Sequence, residues 1–261
     1  MNKFNYKELF LLLLFQEIAK KYKNSFLGLY WIIITPLFML TIYTFVFGYV
    51  FSIKWPGYAE TNLFQFSLIL YCGLAFYNTF SEVVSRSPLI VLENANYVKK
   101  VVFPLEILTV VSVVASIINL LINLTLIALV KISLFSHIGL EIFYIFIIII
   151  FFMIMMLGIT WIFAAIGVFI RDLHHVTSSS VQGLLFLSPI FYPISSLPSW
   201  LQPFILLNPI CVPVEQARKV LIYSQTPDVN VLMVYGGCSI LILLIGYYFF
   251  KKTRKGFADV I

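Results

Sequence analysis

Residues 173–214 read LHHVTSSSVQGLLFLSPIFYPISSLPSWLQPFILLNPICVPV, 42 residues without one Asp, Glu, Lys or Arg. A membrane crossing takes about 20 mostly apolar residues, so the stretch is too long for one. It is too broken for two, because six of the chain's eleven prolines fall in it: Pro189, Pro193, Pro198, Pro203, Pro209 and Pro213. Its first half is polar but uncharged, with His174, His175, Thr177, Ser178, Ser179, Ser180 and Gln182. An uncharged polar helix followed by broken apolar half-helices is how a membrane protein lines a watery path and plugs it. The pattern points to transport.

The rest of the chain agrees with a membrane setting. It has 261 residues, 61% hydrophobic and 11% charged, against about 25% charged in soluble domains. Charges cluster and leave six charge-free stretches, 25–53, 61–81, 107–130, 142–170, 173–214 and 229–250. Each is long enough to cross, and a crossing segment that must satisfy its own backbone is a helix. The apolar runs lack the alternation of an outer-membrane barrel strand. The reading is one all-α integral membrane domain over 1–261. Its six transmembrane helices lie at 25–53, 61–84, 105–130, 142–170, 173–192 and 229–250, with re-entrant structure after the fifth.

Charge sets the orientation. With a cytoplasmic N-terminus, 13 basic residues fall inside and four outside (Lys54, Lys131, Arg218, Lys219), which the positive-inside rule favours. Both termini are then cytoplasmic. The net charge of +6 reflects this division rather than a nucleic-acid partner. No compact apolar core with a small-residue cleavage site marks a signal peptide. Cys72, Cys211 and Cys238 have neither disulfide-framework nor metal spacing.

Residues 1–24 are expected to form an interfacial amphipathic helix, since the charge-free core 9–16 is too short to cross. Gln16, Glu17, Lys20 and Lys21 fall on one face of it. A simple anchor is the alternative. The turn containing Ser25, Leu27 and Gly28 joins this helix to the first span, a junction suited to gating from the cytoplasmic side. Residues 86–101 are expected to form a cytoplasmic helix. Ser87 precedes Pro88, which serves as the first helical residue, and Glu93 is placed to meet a soluble partner. An ordinary connecting loop is the alternative. The loop 52–62, with Trp55 and Tyr58 as interfacial aromatics, and the loop 133–141 should lie outside. Arg171 and Asp172 are expected as a membrane-edge ion pair, or only a topological stop.

Within the fifth stretch, residues 173–187 form the candidate channel-lining helix, with Ser179 and Gln182 among its polar side chains. Helix packing alone would also use them. Ser188-Pro189 should end it. Residues 197–207 and 212–223 should form two half-helices, each too short to cross, split by Asn208-Pro209. Glu215 and Arg218 sit three apart and should pair. A hairpin lying on the membrane surface is the alternative.

Catalytic and energy-converting motifs are absent. There is no G-x-x-x-x-G-K-[ST] phosphate loop, no H-E-x-x-H and no G-x-S-x-G. His137, His174 and His175 have no spacing for a shared metal. Glu82, Glu93, Glu106 and Asp172 sit where solvated membrane-edge charges are expected, and no ladder of intramembrane carboxylates marks a proton-coupled carrier. The chain is read as a transport subunit rather than an enzyme, and its energy must come from elsewhere.

The ordered motifs resemble those of ABC-2-type exporter permeases for polysaccharide and O-antigen. The matching pieces are Gln16-Glu17-Ile18, Lys20-Lys21-Tyr22-Lys23, Ser25-Phe26-Leu27-Gly28-Leu29-Tyr30-Trp31, Pro36-Leu37, Phe169-Ile170-Arg171-Asp172, Ser188-Pro189-Ile190-Phe191-Tyr192-Pro193, Asn208-Pro209 and Phe257-Ala258-Asp259-Val260-Ile261. The resemblance implies a homodimer in the bacterial inner membrane with two copies of a separate nucleotide-binding subunit, which would bind ATP and magnesium. It makes the helix with Pro88, Glu93, Asn94, Tyr97 and Lys99 the coupling helix, and Ser25, Leu27 and Gly28 the cytoplasmic gate. Residues 197–224, with Pro189, Asn208, Pro209, Glu215 and Arg218, become the periplasmic gate. It places Tyr30, Trp31, Tyr43, Phe191 and Tyr192 in the channel, where flat rings suit sugar faces. The implied substrate is an undecaprenyl-diphosphate-linked polysaccharide. The alternatives are an ABC-2 permease for teichoic acid, capsule or another lipid or drug, an integral-membrane transferase, and a passive channel.

Overall fold

The computed structural model describes residues 6–22, 28–50, 63–98, 103–135 and 139–261. Ser25, Leu27, Lys99, Trp55, Tyr58 and His137 lie outside the described residues. The described residues form helices α1 (Tyr6–Tyr22), α2 (Trp31–Tyr43), α3 (Leu63–Arg86), α4 (Ile90–Glu93), α5 (Ala95–Val98) and α6 (Glu106–Phe135). They continue as α7 (Tyr144–Phe169), α8 (Leu173–Leu187), α9 (Gln202–Leu206), α10 (Cys211–Leu221), α11 (Val229–Thr253) and α12 (Phe257–Val260). No strand occurs among the described residues.

Among the described residues, four helical segments are long and apolar enough to cross a membrane: Phe64–Glu93, Glu106–Leu134, Leu140–Phe169 and Val229–Val260. A shorter apolar helix covers Trp31–Val46. It enters through one 3-10 turn, Gly28–Tyr30, carries Pro36 inside, and leaves through a wider π turn, Thr44–Val50. Helix α8 has 15 residues, about 22 Å at 1.5 Å per residue. It ends at Leu187, because the residue before a proline is driven out of the helical region: Ser188 stands at φ −95, ψ 150. The chain therefore breaks at 188 instead of running helical to 192. Helix α6 runs to Phe135, past the expected end of its span at 130, and so carries Lys131 in its last turns. Burial covers this lysine and its Nζ donates to Ser224 Oγ at 2.6 Å.

Helix α3 is the centre of the bundle. Phe66, Leu68, Ile69, Leu70, Cys72 and Phe76 are all buried, on more than one face. Helices α6, α7, α8 and α10 pack around it. Lipid supplies no hydrophobic drive between helices, so close van der Waals contact must hold them. The α7–α11 pair achieves this with small residues: a Cβ on Gly158 would stand 2.6 Å from the Ile242 carbonyl oxygen.

Two contacts orient α8. Its first turn meets the end of α3, where His174 Nδ1 lies 2.9 Å from Ser85 O. Its far end lies near the start of α3, where Arg218 hydrogen-bonds both Ile69 O and Pro189 O. Helices α3 and α8 are antiparallel, and α6 is antiparallel to α3 as well, since Ser116 meets Glu82 and Asn123 meets Tyr71.

The Ser85 end carries its own small core, in which Leu13 of α1 packs with Ile90, Val91, Phe103, Phe250 and Phe257. Arg254 closes it, donating from Nη1 to both Glu106 carboxylate oxygens (2.8 and 3.0 Å) and from Nη2 to Phe103 O (3.0 Å).

Candidate functional site

Three regions hold most of the described residues singled out by sequence. The first is a knot at the Ser188 end. The proline break leaves the carbonyls of Pro189 and Ile190 outside any helix ladder, and buried carbonyls need donors. Arg218 of α10 provides them, from Nη1 to Pro189 O (2.5 Å) and from Nη2 to Ile190 O (2.9 Å). Its Nε also donates to Ile69 O of α3 (3.0 Å). The guanidinium is 1% exposed and reaches this position beside Gly73, where a Cβ would stand 2.7 Å from Nη2. Glu215 lies 3.3 Å from Nη1, the pairing expected from the three-residue spacing. Burial raises the Glu215 carboxyl above its ordinary range, with Arg218 and Lys219 pulling it down.

Asn208 completes the knot. Its Nδ2 donates to Ser188 Oγ (2.8 Å), while its Oδ1 accepts from Ile210 N (3.0 Å) and so starts the turn into α10. Tyr235 of α11 donates to Pro209 O (2.9 Å), and Tyr192 donates to Phe186 O (3.0 Å). Phe191 stacks on Phe186 with centroids 6.1 Å apart. The structure thus brings Pro189, Asn208, Pro209, Glu215 and Arg218 together, with Phe191 and Tyr192 beside them. The first expected half-helix is mostly irregular: only Gln202–Leu206 is α-helical, after a 3-10 turn at Ile194–Ser196. Pro198 and Pro203 lack the amide donors that a continuous helix over 197–207 would need.

The second region is a cleft of about 640 Å³ between α2, α3 and α6. Trp31 and Tyr43 line it, together with Thr35, Tyr71, Asn78, Thr79, Glu82, Asn119 and Asn123. Tyr71 donates to Asn123 Oδ1 at 2.5 Å, and Ser116 donates to a Glu82 carboxylate oxygen at 3.0 Å. Sequence reasoning missed this polar wall. The signal was present, because Asn119 and Asn123 are one turn apart in an otherwise apolar helix, and Tyr71, Asn78 and Glu82 recur at helical spacing on α3. Tyr30 is exposed outside the cleft. Ser179 and Gln182 are exposed on α8 with His175 and are not among the described residues that line the cleft.

The third region is the Ser85 end. The described part of the expected helix over 86–101 is three short pieces: a 3-10 turn Ser87–Leu89, then α4, then α5, the last two separated at Asn94 (φ −113, ψ 30). Pro88 is buried in the first turn, Asn94 Nδ2 bonds Ile90 O (2.8 Å), and Tyr97 stacks on Phe103 at 4.4 Å. Glu93 is engaged within the chain, since Arg86 donates to its Oε2 from Nε (3.1 Å) and Nη2 (2.8 Å). The same guanidinium pairs with Glu17 of α1. Gly28 adopts φ +50, a conformation that favours glycine. Arg171 and Asp172 are both exposed and make no ion pair with each other among the described residues. Adjacent residues on a helical turn point apart, and the Asp172 carbonyl instead accepts the α8 amide of His175 at 3.0 Å.

A packed bundle of apolar helices, proline-broken at one end and cleft along its side, defines a multi-pass membrane protein with the anatomy of a permease. Residues 8–222 match the ABC-2 type transporter family, and the chain belongs to that family. Among its curated relatives, an O-antigen export system permease protein RfbA of Myxococcus xanthus is 24% identical over 99% of this chain and 97% of the relative. Two proteins of the same name from Klebsiella pneumoniae are 25% and 26% identical, each over 94% of this chain and 92% of the relative.

Proposed function

We propose that this chain is the membrane-spanning permease of an ATP-driven exporter of O-antigen polysaccharide. The observation that carries the reading is similarity over nearly the full length to three permeases of that named role, within a family of transporters. The polar cleft and the buried Arg218 knot support it, because polar groups at membrane depth mark a transported substrate's path.

In this reading the chain forms a homodimer in the bacterial inner membrane, with both termini cytoplasmic. Six crossings are counted when Trp31–Val46 with its flanks and α8 with its break are added to the four long helices. Two copies of a separate nucleotide-binding subunit hold ATP and magnesium and dock at the Ser85 end, against α4, α5 and α1. The Ser188 knot, with α9 and α10 re-entrant beside it, is the periplasmic gate. The polysaccharide crosses on an undecaprenyl-diphosphate carrier.

The test is deletion of the gene in its native cell, with chemical analysis of the glycan that accumulates. A lipid-linked O-antigen retained on the inner leaflet, and released on complementation, is the expected result. Accumulation of teichoic acid or capsule would reassign the substrate. A purified chain that transports without ATP or a Walker-type partner would overturn the exporter reading.

A further inference from the structure

Helix α11 leaves the Ser85 end of the bundle through a basic segment, Lys251, Lys252, Arg254 and Lys255. The fold ties down one of these four cations, because Arg254 closes on Glu106 and Phe103 O. Lys251, Lys252 and Lys255 are exposed and make no ion pair among the described residues. The exposed acidic residue that follows, Asp259 of α12, pairs with none of them. The backbone that carries the lysines is nonetheless fixed. Phe250 before them and Phe257 after them are both fully buried and meet edge to face, with centroids 5.5 Å apart. Phe169 of α7 lies 5.9 Å from Phe257 on the other side.

What the lysines meet follows from the face below them. At 3.6 residues per turn, Leu241, Ile245, Tyr248 and Lys252 fall in one stripe about 60° wide, and all four are exposed. They belong to a crossing helix, so acyl chains cover the apolar part of the stripe and Tyr248 stands where interfacial aromatics do. The helix has 25 residues, about 38 Å at 1.5 Å each, against a hydrocarbon core of about 30 Å. Its last turn therefore reaches the headgroups. Helical side chains lean toward the N-terminus, which here turns the lysines back along the bilayer rather than out toward a soluble partner. Lys251 shows the lean: its Nζ lies 5.6 Å from the centroid of the Tyr247 ring, one turn earlier. Ammonium groups at this level draw anionic headgroups, by about fivefold for each lysine.

We propose that Lys251, Lys252 and Lys255 bind the headgroup of an anionic phospholipid in the bordering leaflet, whose acyl chains lie along Leu241, Ile245 and Tyr248. Orienting the chain would need only positive charge on that side, whereas the clamp of Phe250, Arg254 and Phe257 gives these three charges a fixed place. The site rests on the membrane placement of α11 and not on the export reading.

The test uses the full-length chain carrying Y248W, in nanodiscs of phosphatidylcholine with a tenth of the lipid replaced by brominated phosphatidylglycerol or, separately, brominated phosphatidylethanolamine. Bromine quenches indole fluorescence at short range, and the signal is the difference between Y248W and the chain without it. The anionic lipid is expected to be enriched at this position over the zwitterionic one by at least about tenfold. K251Q/K252Q/K255Q should bring the enrichment close to one, and K251R/K252R/K255R should keep it. D259N removes the opposing charge and should raise it. If the glutamine variant fails to insert, D259N and the arginine variant decide. Equal quenching by the two lipids, an unchanged ratio in the glutamine variant, or no rise in D259N together with loss of enrichment in the arginine variant overturns the proposal. Loss of ATPase co-purification in the glutamine variant, with its lipid ratio unchanged, would assign the face to the partner subunit instead. A chain that fails these tests while exporting its polymer in cells loses the lipid site and keeps the export reading.

Discussion

Arg218 reaches α3 only because residue 73 has no side chain: a Cβ there would stand 2.7 Å from the guanidinium Nη2. The space in one helix and the cation from another form one unit, which also holds the carbonyls of Ile69, Pro189 and Ile190. Removing the arginine orphans the Pro189 and Ile190 carbonyls and leaves Glu215 without its partner, so R218A is expected to cost on the order of 3 kcal/mol or more. R218K keeps a charge but not the fork that serves three acceptors, and should fall between. G73A should displace the same guanidinium, so the double variant G73A/R218A should cost less than the sum of the singles. Unfolding of the purified variants in mixed detergent measures this; fully additive costs would show that the two residues act separately.

Asn208 ties the α9–α10 turn to the end of α8 through Ser188 Oγ at 2.8 Å. The bond is buried, so N208A leaves a hydroxyl short of a donor and S188A leaves an amide short of an acceptor. Each single change is expected to cost about 1–3 kcal/mol, and the coupling between them should be about 1 kcal/mol. A double-mutant cycle measures it. In the export reading, a disulfide between S188C and N208C, in a background with Cys72, Cys211 and Cys238 replaced, should stop export while leaving assembly with the ATPase intact. Undiminished export with the bridge formed would remove this knot from the gate.

Glu215 supplies a pH signature. Burial lifts its carboxyl above the ordinary value of 4.5, against the opposing pull of Arg218 and Lys219. The folded chain then holds a proton at pH values where the unfolded chain has released it. Stability from this group is greatest below pH 4.5, falls as pH rises through the lifted value, and is flat above it. E215Q removes the titrating group and should flatten that segment of the stability–pH profile. A wild-type profile rising with pH across the segment, or a slope unchanged in E215Q, would contradict the assignment.

The reach of sequence reasoning here follows the range of the interactions. Charge-free lengths located the long crossings because length and apolarity are properties of single segments. The break at Ser188-Pro189 and the Glu215–Arg218 pair were legible because both depend on residues at most three apart. The other partners of Arg218 lie 149, 29 and 28 residues away, and nothing local pairs a guanidinium with the backbone of another helix. The cleft was hidden for the same reason: Glu82 and Asn119 each look like isolated polar residues until α3 and α6 lie side by side. The Arg86–Glu93 pair was not foreseen either, since the sequence marks a charge on a short helix but not which arginine turns toward it.

That arginine yields the last prediction. Arg86 bonds Glu93 on α4 and Glu17 on α1 with one guanidinium, so it ties α1 to the short helices of the same end. A charge reversal at Glu93 breaks this tie as well as altering a surface, and therefore cannot by itself identify a docking residue. R86A separates the two effects, because it frees α1 while leaving Glu93 in place. Each pair is partly exposed and should contribute about 1 kcal/mol, so loss of one should raise local opening of α1 roughly fivefold. Leu13 of α1 is 8% exposed, and a cysteine placed there reports that opening by its maleimide labelling rate. R86A should label fastest, with E17Q next and E93Q slowest, and in the export reading the same order should hold for ATP hydrolysed per glycan exported. If E93Q uncouples export while R86A neither speeds labelling nor uncouples, Glu93 contacts the ATPase directly and the tie to α1 carries no coupling.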